Sequence, residues 1–467
     1  MSNFATKAMG FITMPIFTRI MSSSDVGDYS NFSAWIVILA AITSVDLYSS
    51  VAVARFDYKD ELNEYIASVL VLGSSITAGC YALTIIFQEH ILKFLNFSAF
   101  ELHLAFIYFM VYPAIQMFQI KSRIEYKYKV SVAISLSSTI ISTLVALLLV
   151  FLTQDKLSGR LLGNYVPLII MNALVYLYIL RQSRWISTKY WKYGLTISLP
   201  LVWHTLSANL LGSSDRVMIK YFCGSSATAF YSVAYSCAMA VSILWTSMNT
   251  AWSPWAYEKM NEKNYEALKK ASRPYLLFFG FVVFCFILIA PEVLYIMGGE
   301  AYSTAVGVIP PVMVAYIFQF VYSLYVNIET YCKKQKYIAI GTTIAAILNI
   351  ILNYIFIPIF GYQAAAYTTL IGYIVLFWVH FLFVVRLKKQ NWYDTKFNIL
   401  FLLFFILLMF LGLLLYQHRI IRYTIIIFIF MAFVYVIILF NREIREAITK
   451  RDITPVISKI TIFFEVR

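Results

Sequence analysis

The stretch Leu199 to Tyr221 reads LPLVWHTLSANLLGSSDRVMIKY, an apolar run with charge near its end. On a helix its Thr205, Asn209, Ser213, Arg216 and Lys220, spaced by three and four residues, form one polar stripe on a hydrophobic rod. Such a stripe does not face lipid. Ionisable residues inside a membrane are costly and point into a bundle interior or a watery path for a polar solute. The rest of the chain reads as the wall of that path.

Its composition fits a membrane. Of 467 residues, 61% are apolar, 18% are aromatic and only 13% are charged, which excludes a set of soluble domains. The net charge of +14 does not point to nucleic acid, because the basic residues sit in short blocks between apolar runs and form no continuous patch. Cys80, Cys223, Cys237, Cys285 and Cys332 lie in or beside apolar runs, with no CxxC pair and no His cluster, so neither a disulfide frame nor a metal site is expected. The first twenty residues contain Lys7, Pro15 and Arg19 and lack a small-residue cleavage site. They read as a retained span.

Apolar windows of roughly 17 to 25 residues cross the hydrocarbon core. Fourteen can be placed, near 4–20, 34–54, 65–87, 99–120, 130–152, 160–180, 195–219, 226–250, 274–296, 303–329, 337–358, 362–385, 397–416 and 421–440. The first is short and the last two are open to miscounting, so the expectation is an all-α polytopic protein of 12–14 spans. Alternate connections and the tail hold 28 Lys and Arg; the opposite connections and their borders hold 8. That asymmetry puts both termini in the cytoplasm.

A repeat at an offset of 202 sets Gly27, Tyr29 and Ser30 against Ala229, Tyr231 and Ser232. It also sets Gly159, Gly163 and Tyr165 against Gly361, Ala365 and Tyr367. The matches are few, but they fall at equivalent places in spans 1–6 and 7–12, as in a parallel transporter repeat. The expected organisation is a six-span lobe over 1–185, a second over 186–390, two further spans over 391–440 and a basic cytoplasmic tail over 441–467. Trp252 to Pro274, with alternating Glu and Lys, reads as a surface helix joining the lobes.

The charged groups in or beside the spans are the candidates for function. Arg216 and Lys220, with Arg19 on the same side, suit an anion, and the planar donor fork of arginine suits phosphate in particular. The other reading of Arg216 is an ion pair with Asp215, or a helix-end residue snorkelling to headgroups. Arg55 and Asp57 close span two, where topology alone also accounts for them. Asp46 sits inside IVILAAITSVDLYSSVAV and needs a partner, either a coupling H+ or Na+ or Lys7 of span one. Asp215 is the second coupling candidate. His204 reads as an interior histidine or a proton relay, and Glu329 as a rim ion pair beside Lys333. Further polar stripes include Ser232, Tyr235, Ser242, Thr246 and Asn249, then Gln319, Ser323, Asn327 and Thr330, then Thr342, Asn349 and Asn353. Such residues also hold membrane helices together, but on consecutive spans they fit a hydrated path for a sugar-like solute, with Asn209 and Asn249 among its contacts. No GxxxxGK[ST] loop is present, so no P-loop ATPase is expected. The short outer connections leave no room for a catalytic loop, so the protein is not expected to be an enzyme.

MPIFTRIMSSSDVGDYS (14–30), VAVARFD (51–57), SSDRVMIKYFCGSSATAFYSVAY (213–235) and FGYQAAAYTTLIGYIVLFWVHF (360–381) resemble the Wzx-type O-antigen and capsule-repeat flippases. These belong to the multidrug/oligosaccharidyl-lipid/polysaccharide exporter superfamily. The resemblance runs over essentially the whole chain through span count, repeat and motif order. It implies a MATE-like fold of two six-helix lobes around a cavity of alternating access, in the bacterial inner membrane. The implied substrate is an oligosaccharide on undecaprenyl diphosphate, and Arg19, Arg55 and Arg216 fall in the motifs whose basic residues meet the diphosphate. Membrane lipids and other polysaccharide assembly proteins are the implied partners, and no cofactor is implied. Ala229 departs from the usual glycine, and the first span is shorter than the family pattern. A multidrug exporter of the same fold, a membrane glycosyltransferase or polymerase, and a channel-like protein are the rival readings. The basic rather than acidic character of the candidate residues disfavours the drug exporter.

Overall fold

The computed structural model describes residues 2–183, 186–428 and 430–431, with side chains from residue 9 onward. The expected tail, 441–467, and the second half of the expected last span, 421–440, lie outside the described residues. Backbone polar groups in hydrocarbon must be satisfied within their own segment, so long apolar runs become helices. No strand occurs among the described residues. The helices are α1 (Ser2–Ile20), α2 (Ser23–Thr43), α3 (Val51–Asp57), α4 (Leu62–Ile86), α5 (Gln88–Leu95), α6 (Ala99–Ile124), α7 (Tyr128–Leu152) and α8 (Lys156–Gln182). They continue as α9 (Thr188–Cys223), α10 (Ser225–Asn261), α11 (Tyr265–Gly298), α12 (Ile309–Tyr331), α13 (Gln335–Phe360), α14 (Ala364–Arg386) and α15 (Thr395–Leu415).

Among the described residues, eleven helices are long and apolar enough to cross a membrane. The chain is a polytopic all-α membrane protein. Neither α1, apolar over Met9–Ile20, nor α9 is among the eleven. α9 has the length at 36 residues, but the polar residues of its stripes lower its apolar content. Several helix starts are written in the sequence. Ser22 and Asp25 form a capping box at α2, Ser98 and Glu101 form another at α6, and Asp155 caps α8 through the Ser158 amide.

The chain divides into two compact units. The first comprises residues 1–236, 296–302 and 342–368; the second comprises 237–295, 303–341 and 369–467. In the first unit, Phe32, Trp35, Leu102, Phe106, Phe109 and Tyr165 make one buried cluster, and Leu47, Val51, Tyr65, Leu70, Met117 and Tyr190 make another. α7 and α8 approach closely because Gly163 has no side chain, and a Cβ there would lie 2.3 Å from Ala146 Cα. Small residues at such contacts are how membrane helices gain packing energy. In the second unit, Trp252, Tyr275, Phe320 and Phe279 stack in series, with successive centroids 4.2, 4.7 and 4.1 Å apart.

Candidate functional site

α9 carries two polar faces. At roughly 100° per residue, Thr205, Asn209, Ser213, Arg216 and Lys220 fall within about 80° of one another, and Ser207, Ser214 and Asp215 fall on the far side. The first face grips α2 and the turn that follows it. Thr205 donates to Asp46 Oδ2 at 2.9 Å, Asn209 Nδ2 donates to the Val37 carbonyl at 2.9 Å, and Lys220 pairs with Asp28 and donates to the Ser225 hydroxyl.

The second face meets α13. The Ser207 hydroxyl lies 3.0 Å from that of Thr343, and Ser214 donates to Asn349 Oδ1 at 3.3 Å. Asp215, 1% exposed, accepts from the Tyr231 hydroxyl at 2.5 Å and from Asn353 Nδ2 at 2.7 Å. Asn353 also donates to Asn349 Oδ1 at 3.2 Å and accepts from the Thr368 hydroxyl. A carboxylate, two amides and three hydroxyls therefore form one connected polar cluster in the interior. Sequence reading finds its members on separate spans, and only the fold joins them.

Asp46 occupies a break in its span. α2 ends at Thr43, Val45 and Asp46 take left-handed φ values of 48° and 49°, and a 3-10 turn over Leu47–Ser50 leads into α3. A left-handed residue costs roughly 1–2 kcal/mol, and a β-branched one is a marked outlier. The freed Thr43 carbonyl is taken by the Thr77 hydroxyl at 3.1 Å, as a break at membrane depth requires. Asp46, 2% exposed, accepts from Ser49 at 2.9 Å as well as from Thr205. Lys7, the alternative partner, has a side chain outside the described residues.

The three candidate arginines share one property: each has a carbonyl partner and, among the described residues, no ion pair. Exposed Arg19 donates to the Pro15 carbonyl at 2.7 Å, half-buried Arg55 to that of Ile124 at 2.9 Å, and half-buried Arg216 to that of Gly212 at 3.1 Å. The Arg216 guanidinium also lies 4.6 Å from the centre of the Tyr235 ring. Asp215 is not its ion-pair partner. Asn249, half-buried in the second unit, accepts from Ser253, which also donates to Asn327.

Glu329 is a correction. It does not sit on a rim beside Lys333; it is 0% exposed and bonded to His380 Nδ1. Its position two residues before the end of α12 suggested exposure, but α14 covers it. Arg160, near the start of α8, is buried as well, with its guanidinium 4.1 Å from the Phe17 ring and 3.7 Å from the Tyr29 ring. Aromatic faces there take the place of a carboxylate.

Residues 1–260, more than half of the chain, match the family described as polysaccharide biosynthesis protein. The chain belongs to that family. Residues 200–355 also match the MatE family. A protein of the Lsg locus of Haemophilus influenzae is 25% identical over 278 residues, 56% of this chain; the match spans 64% of that relative's length, under two thirds. Among solved structures, the lipid II flippase MurJ in an inward closed conformation superposes with a TM-score of 0.68 at 16% identity, covering 94% of this chain and 98% of that one. An inward-facing multidrug resistance MATE transporter of the MOP superfamily gives 0.60 at 15% identity, covering 84% and 95%. At these identities the likeness is one of fold, and this polysaccharide biosynthesis protein has the fold those transporters share.

Proposed function

We propose that the protein is a flippase that moves an undecaprenyl diphosphate-linked oligosaccharide from the cytoplasmic to the outer leaflet of the bacterial inner membrane. The motion is alternating access between a lobe over 1–185 and a lobe over 186–390, and the product feeds O-antigen, capsule or related polysaccharide assembly. Family membership supports the polysaccharide pathway. The observation that carries the reading is Arg216, a half-buried guanidinium on α9 with no carboxylate partner among the described residues. A diphosphate supplies the missing counter-charge, and arginine meets it with paired donors. Arg19, Arg55 and Lys220 extend the cationic path, while Asn209 and Asn249 serve the sugars. Asp46 at its helix break and Asp215 in its amide cluster are the groups for a coupling H+ or Na+. No bond is made or broken, both termini face the cytoplasm, and other assembly proteins receive the product.

The test is glycan display in a deletion strain complemented with wild type, Arg216→Ala or Arg216→Lys, with the sidedness of the lipid-linked intermediate measured. Intermediates trapped in the inner leaflet, released by wild type and not by Arg216→Ala, are the expected result. Normal display in the deletion strain, with no second flippase present, refutes the reading. Asp46→Asn or Asp215→Asn that leaves transport fully active and gradient-sensitive removes that residue from coupling. The MatE match over 200–355 favours a second reading, a drug or ion antiporter of the same fold. Drug sensitivity of the deletion strain with intact glycan display would select it.

A further inference from the structure

The second unit holds an ionisable pair that the flippase reading leaves unused. Glu329 on α12 and His380 on α14 are both fully buried, and His380 Nδ1 lies 3.0 and 2.9 Å from the two carboxylate oxygens. The Tyr322 ring stacks on the imidazole, with centroids 5.3 Å apart and planes 12° from parallel. His380 Nε2 is buried without a hydrogen-bond partner among the described residues. It faces Gly341 of α13, where a Cβ would lie 3.0 Å away.

Most buried side-chain polar atoms are hydrogen-bonded. Here one nitrogen is held by a carboxylate and the other is left open. The pair is neutral overall with the shared proton and negative without it, so its protonation changes the charge buried in the unit. It also lies close to water. Lys333, four residues beyond Glu329, is exposed, and the Lys334 amide bonds the Glu329 carbonyl at 2.8 Å. The other titratable side chains around the pair are Tyr322, stacked on His380, Tyr373, stacked on Tyr322, Tyr337, stacked on Phe383, and Cys332, on which Glu329, Lys334 and Lys389 all act. None of these is a second carboxylate, and Lys333 and Lys334 are exposed.

We infer that Glu329 and His380 form a proton-loading site, entered through His380 Nε2, whose occupancy biases the conformational cycle of the transporter. The inference rests on the transport reading above for its consequence, but not for the site itself. One proton is taken up per cycle, shared between the carboxylate and the imidazole, and the same proton is released on return.

Two measurements on the purified full chain separate the claims. The first is proton uptake on a pH jump, read with an indicator dye in detergent; wild type should take up about one proton per chain more than Glu329→Gln or His380→Gln. The second is translocation of undecaprenyl diphosphate N-acetylglucosamine in proteoliposomes with and without a pH gradient. Wild type should be accelerated at least about tenfold by the gradient. Glu329→Gln retains an oxygen to accept from Nδ1 and should keep basal translocation while losing the acceleration. Gly341→Ala, which crowds Nε2 and removes no ionisable group, should weaken the acceleration and serves if Glu329→Gln does not fold. Unchanged proton uptake in both pair variants, or full acceleration in Glu329→Gln, overturns the inference. If wild type moves no lipid, the transport reading fails and the proton count alone decides the site.

Discussion

Replacing Asn353 with leucine tests whether the amide cluster holds Asp215 in place. Leucine keeps the γ-branched outline of asparagine but is bulkier, so at this fully buried position a packing cost comes on top of the lost hydrogen bonds. The Asn353 Nδ2 bond to Asp215, at 2.7 Å, is lost from a carboxylate that is 1% exposed. A hydrogen bond to a charged group is worth about 1.5–3 kcal/mol. Thr368 loses its acceptor on Asn353 but keeps the Ala365 carbonyl at 3.0 Å, which adds about 0.5–1 kcal/mol at most. The net loss is about 2–4 kcal/mol. At roughly 2 °C per kcal/mol for a unit of this size, the melting temperature should fall by about 4–8 °C. Thermal unfolding of the detergent-purified protein, followed by tryptophan fluorescence, reads this directly. Thr368→Val is the control and should cost about 1 kcal/mol, since it removes the outer hydroxyl with its bonds to Asn353 and the Ala365 carbonyl and leaves both bonds to Asp215 in place. A shift for Asn353→Leu no larger than that of Thr368→Val would refute the view that Asp215 depends on Asn353.

Two further outcomes follow from geometry. A Cβ on Gly27 would lie 1.8 Å from the Ser225 carbonyl oxygen, which is backbone and cannot swing aside, so Gly27→Ala should part α2 from the start of α10. Cysteines at Ser23 and Ser226, whose hydroxyls are 3.1 Å apart, should crosslink in a background without native cysteines and fail to do so once Gly27→Ala is added; equal crosslinking would contradict the close approach. At Asp394, burial alone would raise the carboxyl, but the Phe397 amide and the Arg273 guanidinium outweigh it and hold it below its ordinary 3.8. A carboxylate lowered in the folded state adds stability that is complete above its unfolded value and is lost as pH falls through the folded one. Arg273→Gln should therefore flatten the acid loss of melting temperature below about pH 4, and a profile parallel to wild type would count against the pair.

The sequence by itself determined the class of the molecule. Runs such as Thr395–Leu415 leave backbone groups no partner but their own helix, so helices and a membrane follow from composition and length. It also determined the stripe on α9, because Thr205, Asn209, Arg216 and Lys220 recur at helical spacing, and a recurrence of that kind is local. What the stripe meets was not local. Asp46 lies 159 positions from Thr205, and Asn353 lies 138 from Asp215. A hydrogen bond between spans depends on which helices become neighbours and on their rotation, and neither leaves a periodic mark in the chain. The break at Val45–Asp46 has a related origin: IVILAAITSVDLYSSVAV contains no proline or glycine to mark it, and beside its own Ser49 the turn draws on Thr77 and Thr205 from other helices. Glu329 and His380 show the same limit. Glu329 reads as a rim residue and His380 carries no signal within its apolar run, and only the packing of α12 on α14 joins them into one buried pair.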